Sequence, residues 1–266
     1  MANNDFNLKN AGSGYARNPE AAADTFHEDA DASRTFLNRV YNWMAGGLAI
    51  TGIIAYLIAQ TMMENAPVIV NRAVVKEGSF LWSPGFMLLM VLVEFGLVIW
   101  LSAGINKMQP MTAGICFLLY AAVSGVTLAP IFIVYTESSI YGAFFAAAGT
   151  FAAVSLFGYI TKKDLSGVGS FCFMALIGIV IASLINLFVK SEGFDKIISY
   201  IGVFVFIGLT AWDTQKLKQM GGIVGGEGMA YSDMFHKYAI LGALTLYLDF
   251  INLFLMLLRL FGNRRN

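Results

Sequence analysis

The chain has 266 residues, 58% hydrophobic and 13% charged, with a mean hydropathy of +0.68. Soluble domains carry about twice that charged share, so this composition excludes an ordinary water-soluble globule and asks for a bilayer. Basic and acidic residues balance at 17 each, which removes any bulk electrostatic pull toward nucleic acid.

Residues 1–35 are polar, with Asp24, Glu28, Asp29 and Asp31 close together and no apolar core, so they do not form a signal peptide. The expectation is a disordered, solvated, cytoplasmic tail. Residues 36–263 then carry seven apolar runs of spanning length. These are Phe36 to Gln60, Pro84 to Gly104, Thr112 to Tyr135, Ser139 to Thr161, Val168 to Val189, Ile197 to Leu217 and Ala239 to Phe261. Residues 264–266 are a basic end. The fold class is therefore all-α, a polytopic bundle of seven transmembrane helices.

Most connections are short, which implies antiparallel neighbours. Two are longer. Residues 61–83 include Pro67, Arg72 and Lys76. Residues 218–238 carry Gly221, Gly222, Gly225, Gly226 and Gly228, which predicts a flexible connector or hinge. Lys and Arg counts near helix ends favour the N-terminus inside. Lys9, Arg17, Arg34, Lys107, Lys162, Lys163, Lys216, Lys218 and Lys237 then outnumber Arg72, Lys76, Lys190, Lys196, Arg264 and Arg265 outside. Arg264 and Arg265 break the rule after a seventh span, unless the last segment is re-entrant.

Cys116 and Cys172 lie in apolar runs and read as small buried hydrophobes. With His27 and His236 as the only histidines, neither a histidine-based zinc site nor a histidine-dependent serine protease is expected. No resident cofactor and no enzymatic activity are expected.

An ionised group in hydrocarbon costs several kcal/mol unless paired or hydrated. Three acids fall within the apolar runs: Glu94, Asp213 and Asp249. Thr245, Asp249 and Asn252 are spaced four and three apart and share one helix face, which should turn inward. Asp213 lies near the end of the sixth run, followed by Thr214 and, at i+3, by Lys216 as a possible interfacial partner. The sixth and seventh helices are consecutive, and their aspartates can meet. If they do, two carboxylates in a low-dielectric site cannot both ionise cheaply; they share a proton and titrate as a unit. Such a pair can hold a proton, bind a divalent cation when deprotonated, or act as an acid/base dyad. Glu94 has no basic companion in its run and is either protonated or turned toward a hydrated interior.

The same residues resemble the transmembrane Bax inhibitor motif family, bacterial branch. The resemblance rests on Phe36-Leu37, Val40-Tyr41, Met44 and Gly47-Leu48, and on Gly125-Val126-Thr127-Leu128. It rests further on Gly208-Leu209-Thr210-Ala211-Trp212-Asp213-Thr214-Gln215, and above all on Leu246 to Arg259. It implies a seven-helix bundle with the last helix central, and a pH-sensitive calcium leak. It implies that Asp213 and Asp249 form the sensor, and the calcium ligands if there are any, with Glu94 on the conductive path. Thr214, Thr245 and Asn252 would be supporting polar groups. Some bacterial relatives are linked instead to a membrane-bound AAA protease, as substrate or modulator, and the branch implies a bacterial inner membrane. One departure is that Gly104 stands where the family often has a latch arginine, with Lys107 one turn later as the candidate replacement. Trp212 also replaces the commoner tyrosine.

Three readings follow. The first is a proton-gated calcium leak. The second is a regulatory protein that docks a protease through its acidic tail. The third is an intramembrane aspartyl protease, against which stands the missing Gly-x-Gly-Asp pattern around Asp249.

Overall fold

The computed structural model describes residues 19–64, 68–70, 73–76, 80–225 and 232–265. Within them α1 runs Pro19–Glu64, followed by a two-stranded antiparallel ribbon of β1 (Val68–Val70) and β2 (Ala73–Lys76). Then come α2 (Pro84–Gly104), α3 (Pro110–Leu128), the one-turn α4 (Ile131–Val134) and α5 (Glu137–Ile160). The chain closes with α6 (Ser166–Val189), α7 (Glu192–Gly225) and α8 (Asp233–Phe261). Among the described residues seven helices are long and apolar enough to cross a membrane, α3 and α4 counting as one span. The chain is an all-α polytopic membrane protein, and the ribbon is confined to the α1–α2 connection.

The helix starts follow local chemistry. Pro84 and Pro110 open α2 and α3 at positions where a missing N–H costs nothing. Ser232 caps α8 by accepting from the backbone N–H of Phe235 at 3.2 Å. Asp164 Oδ1 accepts from the backbone N–H and the hydroxyl of Ser166 at the start of α6, at 2.9 and 2.7 Å. These bonds hold the Asp164 carboxyl below its ordinary range.

Two expectations are corrected. Of the segment expected to be disordered, residues 19–35 continue α1 as helix, and Ser33 is buried with its hydroxyl donating to the Lys218 carbonyl at 2.9 Å. Residues 1–18, with Lys9 and Arg17, lie outside the described residues. The glycine-rich hinge is helical as far as Gly225. A Cβ at Gly221 would come within 2.9 Å of Phe36 Cβ and Ser33 Cα, so this glycine lets α7 pack closely on α1. Gly226 and Gly228 lie outside the described residues, as do Pro67 and Arg72.

Helix α8 is the hub. It packs against α1, α3, α5 and α7, whereas α2 packs on α3 and α6 on α7. Of the most apolar stretch of each span, 67% is buried inside the protein for α8, against 6% for α2 and 11% for α6. That separates one core helix from two lipid-facing ones. Lipid tails are as apolar as leucine, so the bundle is held by close packing and polar contacts. The core is built around Phe36, Phe117, Leu246, Tyr247 and Leu253.

Helix α8 is continuous from Asp233 to Phe261, which corrects the re-entrant option. Its C-terminal extension joins the α4–α5 corner. The Thr136 N–H donates to the Asn263 carbonyl at 3.1 Å and the Arg265 N–H to the Val134 carbonyl at 2.8 Å. This is the end of the bundle opposite to Ser33 and Lys218.

Candidate functional site: a buried aspartate pair

Helices α7 and α8 make the most extensive helix–helix contact in the bundle, and the contact contains Asp213 and Asp249. Both are buried, at 8% and 5% exposure. Their carboxyl groups are close enough to act on each other directly. Asp249 Oδ2 is buried without a hydrogen-bond partner. An acceptor left bare in a protein interior is costly when ionised, so this geometry asks for a proton or a cation between the two carboxyls.

Close approach of helix backbones positions the pair. Gly158 of α5 abuts the Ala211 backbone so tightly that a Cβ would overlap its carbonyl oxygen. Gly169 of α6 gives the Trp212 ring its place, and the Lys216 ammonium lies over the same ring at 5.1 Å. Lys216 is also the cation that acts electrostatically on Asp213, as its i+3 spacing predicts. Lys107 instead sits in the turn after α2, and no described contact joins it to the aspartates. Gly104 itself lies against Met108 and Trp100.

The supporting polar residues divide. Thr214 is fully buried and its hydroxyl meets Ser155 Oγ at 2.9 Å, which meets the Tyr41 hydroxyl at 2.9 Å. A hydroxyl chain thus links α1, α5 and α7 beside Asp213. Thr245 and Asn252 donate to carbonyls of their own helix, Leu241 at 3.2 Å and Leu248 at 2.8 Å. They satisfy themselves within α8 and do not clamp a neighbour. On the other side of Asp213, the Gln215 amide donates to the Lys163 carbonyl at 2.8 Å and accepts from the Leu165 N–H at 2.9 Å. That fixes α7 to the α5–α6 connection.

Glu94 belongs to a second cluster. The Thr127 hydroxyl donates to Glu94 Oε1 at 2.6 Å, and Ser124 is a second hydroxyl partner. Ser124 also meets Tyr120 and Tyr247. The Tyr247 hydroxyl lies 2.7 Å from Thr51 Oγ1. The sequence reading missed Thr51, Tyr120 and Ser124 altogether, and quoted Thr127 and Tyr247 only as parts of motifs. Asp249 and Tyr247 are two positions apart, about 200° around a helix. Helix α8 therefore carries the two clusters on opposite faces, the aspartates toward α7 and the glutamate network toward α1 and α3.

Among the described residues no group of three or more His, Cys, Asp or Glu gathers as a metal cage. A calcium ion at the pair would take two carboxylates from the protein and complete its six to eight oxygens with water or carbonyls. Such a site suits passage or weak binding of an ion more than permanent retention.

The comparisons with known proteins agree with this architecture. The family described as Inhibitor of apoptosis-promoting Bax1 (Bax1-I) matches residues 33–266. The inner membrane protein YbhL of Escherichia coli K12 is 46% identical over 243 residues, covering 91% of this chain and 97% of its own. A Caulobacter vibrioides protein is 38% identical over 267 residues, covering 98% and 99%, and the RP147 protein of Rickettsia prowazekii is 40% identical, covering 88% and 91%. A match running from the buried Ser33 through all seven spans, with relatives matched nearly end to end, means that the chain belongs to the Bax inhibitor family of membrane proteins.

Proposed function

We propose that this protein is a pH-sensitive calcium leak channel of a bacterial inner membrane, with its N-terminus cytoplasmic, in which the Asp213–Asp249 pair is the switch. The observation that carries the reading is the juxtaposition of two buried carboxyls on the main helix–helix contact, one of them with a bare oxygen. The inner-membrane location draws on the printed name of the YbhL relative. The orientation draws on the Lys and Arg distribution.

In this reading, charge repulsion within the pair supports one sign of gating. With one proton between them the aspartates tie α7 to α8. Loss of that proton puts two like charges in a low-dielectric contact, where repulsion is strong. The helices separate, and the negative site recruits a cation. Rising pH therefore opens the path and falling pH closes it. Glu94, half-buried and held by Thr127 and Ser124, lies on the opposite face of α8, where a movement of that helix would be felt. It is the acid expected to receive or pass the ion.

The test is calcium influx into liposomes holding the purified protein, measured against pH. Wild type should show flux that rises with pH. Asp213→Asn and Asp249→Asn, which cannot lose the bridging proton, should give a low flux that no longer responds to pH. Wild-type behaviour in both variants would overturn the mechanism.

A second reading, regulation of a membrane-bound AAA protease, is favoured by α1. Its 46 residues make a rod of about 69 Å, well beyond a bilayer of about 40–45 Å with its headgroups. If its polar end is the docking element, deleting residues 1–30 removes protease binding and leaves flux intact.

A further inference from the structure

Helices α1 and α5 make no extended contact with each other. A crevice opens between them, with Phe250 of α8 at its floor. The half nearer Ser33 has a volume of about 550 Å³, and the other half about 540 Å³. Each is the size of an ordinary ligand pocket; neither is lined by Glu94, Asp213 or Asp249 themselves, although Thr51 of the Glu94 network borders the second half.

The walls of the first half are graded. Leu48, Met44 and Phe250 close its inner end, and the small Ala148 and Ala152 leave the space open. Arg34, Asn38 and Tyr159 line the other end, and Tyr41 and Ser155, bonded to each other, line the middle. Behind Tyr159 stands a second cation: the Lys218 ammonium lies 4.8 Å over its ring and donates to its carbonyl at 2.9 Å. No described acid pairs with Arg34.

The dimensions fit one leaflet. From Arg34 to Leu48 is 14 residues of helix, about 21 Å, which is half of a bilayer of about 40–45 Å including headgroups. An apolar slot of leaflet depth with an arginine at its polar end matches a molecule with an acyl tail and an anionic head. The geometry points to this crevice as a binding site for one anionic phospholipid, its chain between α1 and α5 and its phosphate held by Arg34, with the Lys218 charge nearby behind Tyr159. The wall also touches the gating machinery, because Tyr41 and Ser155 line the slot and Ser155 bonds Thr214 beside Asp213. The inference does not depend on what the aspartates do.

The experiment is native mass spectrometry of the full chain released from detergent, with phosphatidylglycerol or phosphatidylcholine of identical chains added. Wild type should retain one phosphatidylglycerol in preference to phosphatidylcholine. Arg34→Ala should weaken phosphatidylglycerol retention about fivefold, the effect of one interfacial cation, and leave phosphatidylcholine unchanged. Ala152→Trp, which fills the slot, should abolish specific retention. Ala148→Phe serves the same purpose if the tryptophan variant fails to fold. Equal retention of the two lipids by wild type would overturn the assignment. So would undiminished retention by both filled, folded variants, or a second copy of the chain displacing lipid from the crevice.

Discussion

Two positions on one turn of α8 divide the chemistry of this protein. Asp249 turns to α7 and Asp213, and Tyr247 turns to Thr51, Ser124 and the Glu94 cluster. The aspartates were legible in the sequence because an ionisable group in an apolar run must be explained. Tyr120, Ser124, Tyr247 and Thr51 were not, because tyrosine, serine and threonine fit apolar helices without penalty and these four come from three helices at no fixed spacing. The Tyr247 hydroxyl is fully buried, so Tyr247→Phe leaves Thr51 and Ser124 short of a partner. The expected cost is about 1–2 kcal/mol, read as a lower unfolding midpoint in detergent with the same spectrum. At the surface, Asp164 caps α6 as a carboxylate. Its carboxyl is held below the ordinary range, so its contribution is present at neutral pH and lost as pH falls through that carboxyl's titration. Amide exchange at the first turn of α6 should quicken on acidification in wild type, and be fast at every pH in Asp164→Ala.

At the scale of elements, the apolar cores of all seven spans could be read, and α2 matches its expected limits from Pro84 to Gly104. The ends could not. Helix α7 extends from Glu192 to Gly225 where hydropathy marks only Ile197 to Leu217, because charged residues lower hydropathy without ending a helix that protrudes into water. The glycines misled for a related reason. Composition cannot distinguish a glycine that loosens the backbone from one that admits a neighbour, and Gly221 is of the second kind. Gly158 makes the same point beside the site. Gly158→Leu must push α5 off the Ala211 backbone, so about 1–3 kcal/mol of destabilisation is expected. The Asp213 side of the pair should also become accessible to water, measured as faster exchange in the middle of α7.

For the whole molecule, the basic C-terminal end is tied back to the bundle by three ion pairs. Arg259 reaches Asp195, Arg264 reaches Glu192 and Arg265 reaches Glu137, each at 3.8 Å. Exposed pairs of this kind add little stability. The sequence offered no way to see them, since the partners are remote in the chain. Ser33 and Arg264 lie at opposite ends of the bundle, which the proposed topology puts on opposite sides of the membrane. A cysteine placed at Arg264 should react with an impermeant thiol reagent added outside intact cells, and one at the exposed Lys162 should not.

All three scales meet in the contact between α7 and α8, where a single shared proton is claimed to govern the bundle. The most direct measurement is infrared difference spectroscopy of the protein in lipid, titrated with pH beside the calcium flux. The account predicts a carbonyl-stretch band of a buried protonated carboxyl that is absent in Asp249→Asn and disappears as pH rises, across the same window in which flux increases. A band that survives Asp249→Asn unchanged, or one whose titration and the rise in flux occur in different pH windows, would contradict it.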